Sequence, residues 1–400
     1  MKKLFLCLVS FMLILSACQG GANLPPLEAG HNITASEESV LDTTIDNYER
    51  VFVVPPQIAD GIFDLGAALF SEPEVFFSAR TLSGNRLIVE NVLADESIIY
   101  NYITGEILHR FSPALRRLGT DHFYSQRQDS ENSYTITLYD HELTILAEHY
   151  TTQPAIPVID GIHILYDARA SIRIRNIQTN EEGEISVSDI SPKPEHGGGM
   201  IWWDFDGQWV FSTANHAPAG TPQFSELWMR AVGAYNVITS QSIFSEDFPQ
   251  AFAGIPETFG SSSAIFWQDG SAFGTDGTYS VIVDAQNSDI RIVDVGITAN
   301  HISDNGSILV AVDAVSIEWE NDIFDFPVLN TTLSQIILHD AYSLAPISSR
   351  SFEPLIGAMG GSFGGVISVS EDGRYVFLRG FIYEGGSRRQ SLFMIEMGAG

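Results

Sequence analysis

The stretch V366-I-S-V-S-E-D-G-R-Y-V-F-L-R-G380 decides the fold. Two apolar runs, Val366–Val369 and Tyr375–Leu378, flank an Asp372-Gly373 pair. Asp-Gly between apolar runs marks a tight hairpin, because the turn needs a positive φ that glycine adopts without strain. The same grammar returns upstream around Gly306 (NHISDNGSILVAV), Gly270 (IFWQDGSAFG) and Gly207 (IWWDFDGQWVFS). Weaker copies lie around Gly161, Gly119 and Gly84. Each copy except the last is followed by a second hairpin with a polar turn, such as IIYNYITGEILHRF or IRIRNIQTNEEGEIS. The last unit ends with the single strand SLFMIEM.

Six four-stranded units and one unit lacking its fourth strand predict an all-β chain: a seven-bladed β-propeller of four-stranded antiparallel blades over residues 47–398. The turn glycines are 35 to 67 residues apart. Short spacings match one blade, and long ones contain insertions. Six or eight blades, or a two-domain β protein, also satisfy the pattern. The incomplete last blade calls for an N-terminal strand to close it, and Tyr48–Pro55 (YERVFVVP) is the expected donor. The turn Ser370-Glu371-Asp372-Gly373 resembles the turn of TolB-like and broader WD-repeat-like propellers, with Ser303-Asp304-Asn305-Gly306 as a shifted relative. Most copies lack the proline that precedes Asp-Gly in that family, and Trp203-Asp204 falls on a first strand, where WD repeats do not place it.

The N-terminus carries an address. Lys2 and Lys3 precede an apolar run, Leu4–Ile14, and then Leu15-Ser16-Ala17-Cys18. That is the layout of a secretory signal peptide, and the run is too short to span a bilayer comfortably. The stretch resembles the lipobox of bacterial lipoproteins, which implies cleavage after residue 17, lipidation of Cys18, and an exported protein held on the extracytoplasmic side of a cell envelope. Whether that envelope has one membrane or two is open. Residues 18–46 are rich in Gly, Pro, Ser, Thr and acids, the composition of a flexible tether. Cys7 and Cys18 are the two cysteines of the chain, so the domain after the signal has none to form a disulfide or a thiolate metal site.

Fifty acidic residues face 20 basic ones, a formal charge of −30. Nucleic-acid binding needs a basic footprint, so that class is excluded. Contact with anionic lipid is disfavoured for the same reason, leaving the N-terminal lipid as the membrane attachment.

In a propeller the Asp-Gly turns and the second, polar turns share one face, and the remaining connections lie on the other. Most of the long insertions fall in that second set, with Ala214–Phe224, Ser245–Ser263 and Glu318–Thr331 read as long loops, which makes it the expected binding face. Its candidate anchors are Trp319, Phe324, Phe326, Phe248, Phe252 and Phe224, with Glu318, Glu320, Asp322 and Asp325 around them. The expected partner is an envelope protein, a peptide or a glycan, bound without catalysis. The alternative is an enzyme acting on polysaccharide through acids near the axis, with Asp204/Asp206 and Glu320/Asp322 as pairs in reach of one another. No cofactor or metal is expected: DHELTI (Asp140–Ile145) lacks a zincin's second histidine, the glycine runs lack Gly-Lys-Ser/Thr, and no Gly-x-Ser-x-Gly occurs. The glycine run Gly197–Gly199 reads as a blade junction.

Overall fold

The computed structural model describes residues 50–398, apart from 71–76, 92–93, 120–121, 169–170, 187–188, 190–195, 219–228, 245–247, 250–253, 261, 269–278, 297–298, 322–326, 352–355, 359–365 and 385–386. The signal segment, Cys18 and the tether lie outside the described residues.

Seven four-stranded antiparallel blades make up the propeller. From first to last strand, blade 1 is Phe77–Leu82, Arg86–Asn91, Glu96–Asn101 and Glu106–Phe111. Blade 2 is Leu115–Leu118, His122–Ser130, Ser133–Asp140 and Ile145–Thr151. Blade 3 has a first strand of two residues, Ile156–Pro157, then His163–Ala168, Ser171–Asn176 and Glu182–Ile185. Blade 4 is His196–Phe205, Trp209–Pro218, Met229–Asn236 and Ser242–Phe244. Blade 5 is Gly254–Phe259, Ser263–Gln268, Tyr279–Asp284 and Asp289–Asp294. Blade 6 is Ala299–Ile302, Ile308–Asn321, Pro327–Asp340 and Pro346–Ser351. Blade 7 is Val366–Val369, Tyr375–Glu384 and Ser387–Glu396, completed by Ile62–Asp64 from the N-terminal side.

The turn of the opening stretch shows why the first hairpins form. The Ser370 hydroxyl accepts the Tyr375 N–H (2.9 Å) and donates to the Asp372 carboxylate (2.6 Å). Ser303 does the same with Ile308 N–H (2.9 Å) and Asn305 (2.7 Å). The two turns are therefore in one register, with Asn305 in the place of Asp372, and the sequence expectation of a shifted copy is corrected. Asp304 stands where Glu371 stands in blade 7, outside the turn's own hydrogen bonds.

The second hairpins share a device that reading for Asp-Gly pairs passes over. The last residue of the third strand is Asn101, Asn176, Asn236 or Asp340. Its side chain accepts the backbone N–H groups two and three residues on. The fourth residue on then takes a positive φ, whether Gly105, Asn180, Ser240 or Leu344. Asn and Asp favour such turns because a short side chain can satisfy the bare N–H groups.

Closure departs from expectation. Val51–Phe52 of the expected donor pairs instead with Glu106–Ile107, as a fifth strand outside blade 1. The closing strand is Ile62–Asp64, opposite Phe393–Ile395. Burial separates the two candidates: Val51, Phe52 and Val54 are 45 %, 57 % and 87 % exposed, whereas Ile62 and Asp64 are buried. Asp64 also caps the short helix α1 (Leu65–Leu69), accepting the Ala67 N–H at 3.0 Å, and takes the Ser391 hydroxyl from blade 7. Ile62 packs in the core between blades 6 and 7. Leu65, Leu69 and Phe70 pack in the core between blades 7 and 1. The Arg350 guanidinium, on the rim of blade 6, donates to the carbonyls of Asp60, Gly61 and Glu396 and so ties the closing turn down.

Blade 5 is the second correction. Its first turn is at Gly260 (φ +55°), not Gly270, and the segment expected as a long loop, Ser245–Ser263, contains the first strand Gly254–Phe259. Pro256 sits inside that strand opposite Phe266, which disguised it in the sequence. Likewise the run Gly197–Gly199 is strand, paired with Asn215–Ala217, rather than a junction.

Burying Ile62, Leu65, Leu69 and Phe70 is worth roughly 6 kcal/mol or more, the scale of a whole domain's net stability. Removal of residues 1–55 is therefore expected to leave one cooperative thermal transition. Removal of residues 1–70 should abolish it in calorimetry. The opposite result would restore Tyr48–Pro55 as the closing strand.

Candidate functional site

The first strands of the blades converge on the axis. At the short-turn end the axis is bridged by an ion pair. Arg117, on the first strand of blade 2, donates Nη1–H to Asp304 Oδ1 of blade 6 at 2.6 Å, and both side chains are 11 % exposed. Arg117 also holds the Gly119 carbonyl through Nε (2.5 Å). A second brace runs from Arg80 Nη1 in blade 1 to the Thr258 carbonyl of blade 5 (3.3 Å). In blade 1, the Thr81 N–H donates to Ser368 Oγ of blade 7 (2.8 Å), and the Thr81 hydroxyl donates to the Val369 carbonyl (3.1 Å).

Behind this floor lies a cavity of about 180 Å³. Gly119, Gly260 and Thr258 belong to its floor. Ser78, Glu90 and Arg116 belong to the side of the long connections, since Ser78 lies next to the start of a first strand and Glu90 next to the end of a second one. Arg116 Nε donates to Glu90 Oε1 at 3.2 Å. Burial pushes the Glu90 carboxyl above its ordinary range, against the pull of Arg116.

The acids expected to do chemistry are engaged in structure. Asp204 Oδ2 accepts the Thr258 N–H (2.8 Å) and hydroxyl (2.9 Å), and Oδ1 accepts the Phe205 N–H (2.9 Å). Asp206 accepts the N–H groups of Gln208, Trp209 and Ser262, the last from blade 5, and burial raises its pKa. Asp204 lines the cavity and Asp206 does not.

The opposite face is built from overlong hairpins. The second and third strands of blade 6 have 14 residues each and stay paired from Ile308–Asp340 out to Asn321–Pro327. The segment expected as a loop, Glu318–Thr331, is therefore hairpin at both ends. Ladder hydrogen bonds carry it some eight residues beyond the blade, roughly 25 Å at the usual strand rise. Ile356–Ala358 pairs with Thr331–Thr332 on one side and with Gly380–Ile382 of blade 7 on the other. Blades 6 and 7 thereby share one continuous sheet on this face.

Among the expected anchors, Trp319 and Glu320 stand in this hairpin opposite Leu329 and Val328, and Glu318 stands opposite Asn330. Phe248 belongs to a two-residue strand paired with Met229–Arg230 of blade 4. Phe224, Phe252, Asp322, Phe324, Asp325 and Phe326 lie outside the described residues. The axial group of Arg80, Glu90, Arg116, Arg117 and Asp304 was not foreseen. A signal for it exists in L115-R-R-L118: two consecutive arginines inside a first strand, between leucines that are both buried.

No family model matches the chain, and no curated protein matches it. Solved structures similar to it include a streptogramin B lyase (10 % identity, TM-score 0.39, covering 84 % of this chain and 97 % of that one). Hsv2p of Kluyveromyces lactis is also similar (10 %, 0.39, covering 82 % and 99 %). So is dipeptidyl peptidase 4 of Porphyromonas gingivalis (11 %, 0.38, covering 78 % of this chain and 52 % of that one). The chain thus spans about half the length of that peptidase. These likenesses concern chain arrangement and carry nothing about activity.

Two measurements test the axial geometry. Removing one member of a buried ion pair strands the other, at a cost of about 3 kcal/mol. Arg117→Leu and Asp304→Leu are each expected to lower stability by that order in chemical denaturation. The double variant should lose clearly less than the sum, and strict additivity would deny the bridge.

Glu90 binds its proton more tightly folded than unfolded, so ionising it opposes folding. Its contribution is best below the ordinary glutamate range and worsens as pH rises through the raised folded value. The Tm difference between Glu90→Gln and wild type should therefore move in the variant's favour from about pH 4 to about pH 8. A difference independent of pH would refute this.

Proposed function

We propose that this chain is a bacterial envelope lipoprotein whose propeller serves as a non-catalytic scaffold for a protein, peptide or glycan partner. The observation that carries the reading is the shared sheet of blades 6 and 7. Its hairpin is prolonged by regular ladder pairing well past what blade packing needs. Extra paired strand on one face, opposite tight turns on the other, favours recognition over structural filling. The occupied oxygens of Asp204 and Asp206 argue against the polysaccharide-cleaving alternative, which needs an acid and a base free to exchange protons. The lipobox-like Leu15–Cys18 supports export and anchoring through the Cys18 lipid. Anchoring by several acyl chains would be firm where one alone is marginal.

The test uses the tagged full chain in its own host, extracted in mild detergent. A variant with residues 314–333 replaced by an Asn-Gly turn is the comparison. A species captured by the wild type and lost with the folded variant is expected. Capture of the same species by both removes this face from the proposal. Cys18→Ala is expected to move the protein out of the membrane fraction, and unchanged membrane retention would overturn the lipid anchor.

A further inference from the structure

We propose that the face of the short turns rests on a lipid bilayer, touching it through apolar turn tips and the segment where the chain enters the propeller. The inference rests on the Cys18 anchor proposed above and is independent of what the hairpin sheet binds.

Exposed hairpin turns are ordinarily built from polar residues and glycine. Three tips here depart from that rule at one equivalent position. In the second hairpins, the residue two past the Asn or Asp that starts the turn donates its N–H to that side chain. In blades 1, 4 and 6 this residue is Ile103, Ile238 or Tyr342, which are 49 %, 42 % and 73 % exposed. In blades 2 and 3 it is the exposed Glu142 or Gln178. The backbone hydrogen bonds make the turn in every case, so an isoleucine or tyrosine side chain adds nothing to it. Arg291 stands over the Tyr342 ring at 5.2 Å and still leaves that residue largely in water.

The chain enters at the same surface. Arg50 pairs with Glu106 at 3.5 Å, and Glu106 begins the fourth strand of blade 1 directly after its short turn. The Val53 N–H donates to the Gly105 carbonyl of that turn at 2.7 Å. Backbone contacts thus fasten this segment, while Val51, Phe52 and Val54 stay exposed and take no part in closing the ring. A lipid on Cys18 therefore holds this face, rather than that of the long connections, towards the membrane.

Arrangement and charge identify the occupant. A protein partner is bound by apolar anchors gathered at the centre of one patch. Blades 1, 4 and 6 instead set their tips apart around the ring, as three points of support that suit a broad flat surface. Tyrosine is a residue of the membrane interface. A chain of charge −30 is repelled by anionic headgroups, so the contact is apolar and favours neutral lipid. Tethering makes the contact intramolecular, and a few side chains then suffice.

The test places a fluorophore on one thiol at a time in the full chain, purified from its own host and bound to phosphatidylcholine vesicles with a nitroxide on the lipid chains. Signal removal takes Cys7 and the lipid occupies Cys18, so Val54→Cys, Ile238→Cys and Ser130→Cys each present one free thiol. Ser130 is exposed at the hairpin tip of blade 2, on the face of the long connections. Strands of about six residues set the two faces roughly 20 Å apart, so quenching at Val54→Cys and Ile238→Cys is expected to exceed that at Ser130→Cys at least about threefold. Adding Ile103→Ser and Tyr342→Ser to Ile238→Cys should lower its quenching towards the Ser130→Cys level. Phosphatidylglycerol vesicles should lower it as well. Label on the wild type denies the lipid anchor, and the proposal with it. With the wild type unlabelled, the proposal alone is overturned by equal quenching at the three sites, by quenching that the two serines leave unchanged, or by stronger quenching with phosphatidylglycerol. Shielding of Val54→Cys and Ile238→Cys that grows with protein density and ignores the nitroxide also overturns it, and assigns the face to a second copy of the chain.

Discussion

Ring closure is the constraint on which the rest depends. Blade 7 has three strands of its own, and an open propeller would expose the edge of its last sheet to other chains. Three residues, Ile62–Asp64, close it. Joining positions as far apart as Ile62 and Ile395 costs about 5 kcal/mol of chain entropy. No disulfide shares that cost, since neither cysteine lies within the propeller. The offset comes from burying Ile62 between blades 6 and 7, and Leu65, Leu69 and Phe70 between blades 7 and 1. Asp64 links the two, because one buried carboxylate both starts the helix and holds Ser391.

Closure also explains why one face is compact. Blade 3 begins with only two residues of strand, and the turns of blades 2 and 4 approach each other past it. A Cβ on Gly119 would lie 2.2 Å from the Asp206 carbonyl, and one on Gly207 would lie 2.4 Å from Ile159. Both glycines have positive φ, so two independent reasons exclude a side chain at each. At these two turns the face has no room for insertions, whereas on the other face strands run on beyond the disk in blades 6 and 7.

The architecture was legible because propeller turns are chemical as well as hydrophobic: glycine at seven turns and a polar residue at the end of each third strand repeat along the chain. Closure was harder to read. Outer strands are half-exposed, so the alternation in Tyr48–Pro55 resembles an outer strand as well as Ile62–Asp64 does, and only burial of Ile62 and Asp64 separates them. Blade 5 was misplaced because Pro256 and flanking glycines hid a first strand. The binding face was read from loop lengths, which cannot distinguish a loose loop from a paired hairpin. The axial cluster depends on contacts such as Arg117 with Asp304, 187 residues apart, and no local pattern reports those.

The axis itself argues about function. Converging first strands leave a centre that apolar side chains could fill, and a buried ion pair is seldom more stabilising than hydrophobic packing in its place. What the pair supplies is direction: Arg117 and Asp304 fix blade 2 against blade 6, as Arg80 and Thr258 fix blade 1 against blade 5. A scaffold that must present a long hairpin in constant orientation gains from such cross-bracing, because rotation of one blade would carry the sheet of blades 6 and 7 with it. An acid catalyst placed among the same groups would instead need carboxylate oxygens open to a substrate, and here those of Asp204 and Asp206 are already taken by hydrogen bonds from Phe205, Thr258, Gln208, Trp209 and Ser262.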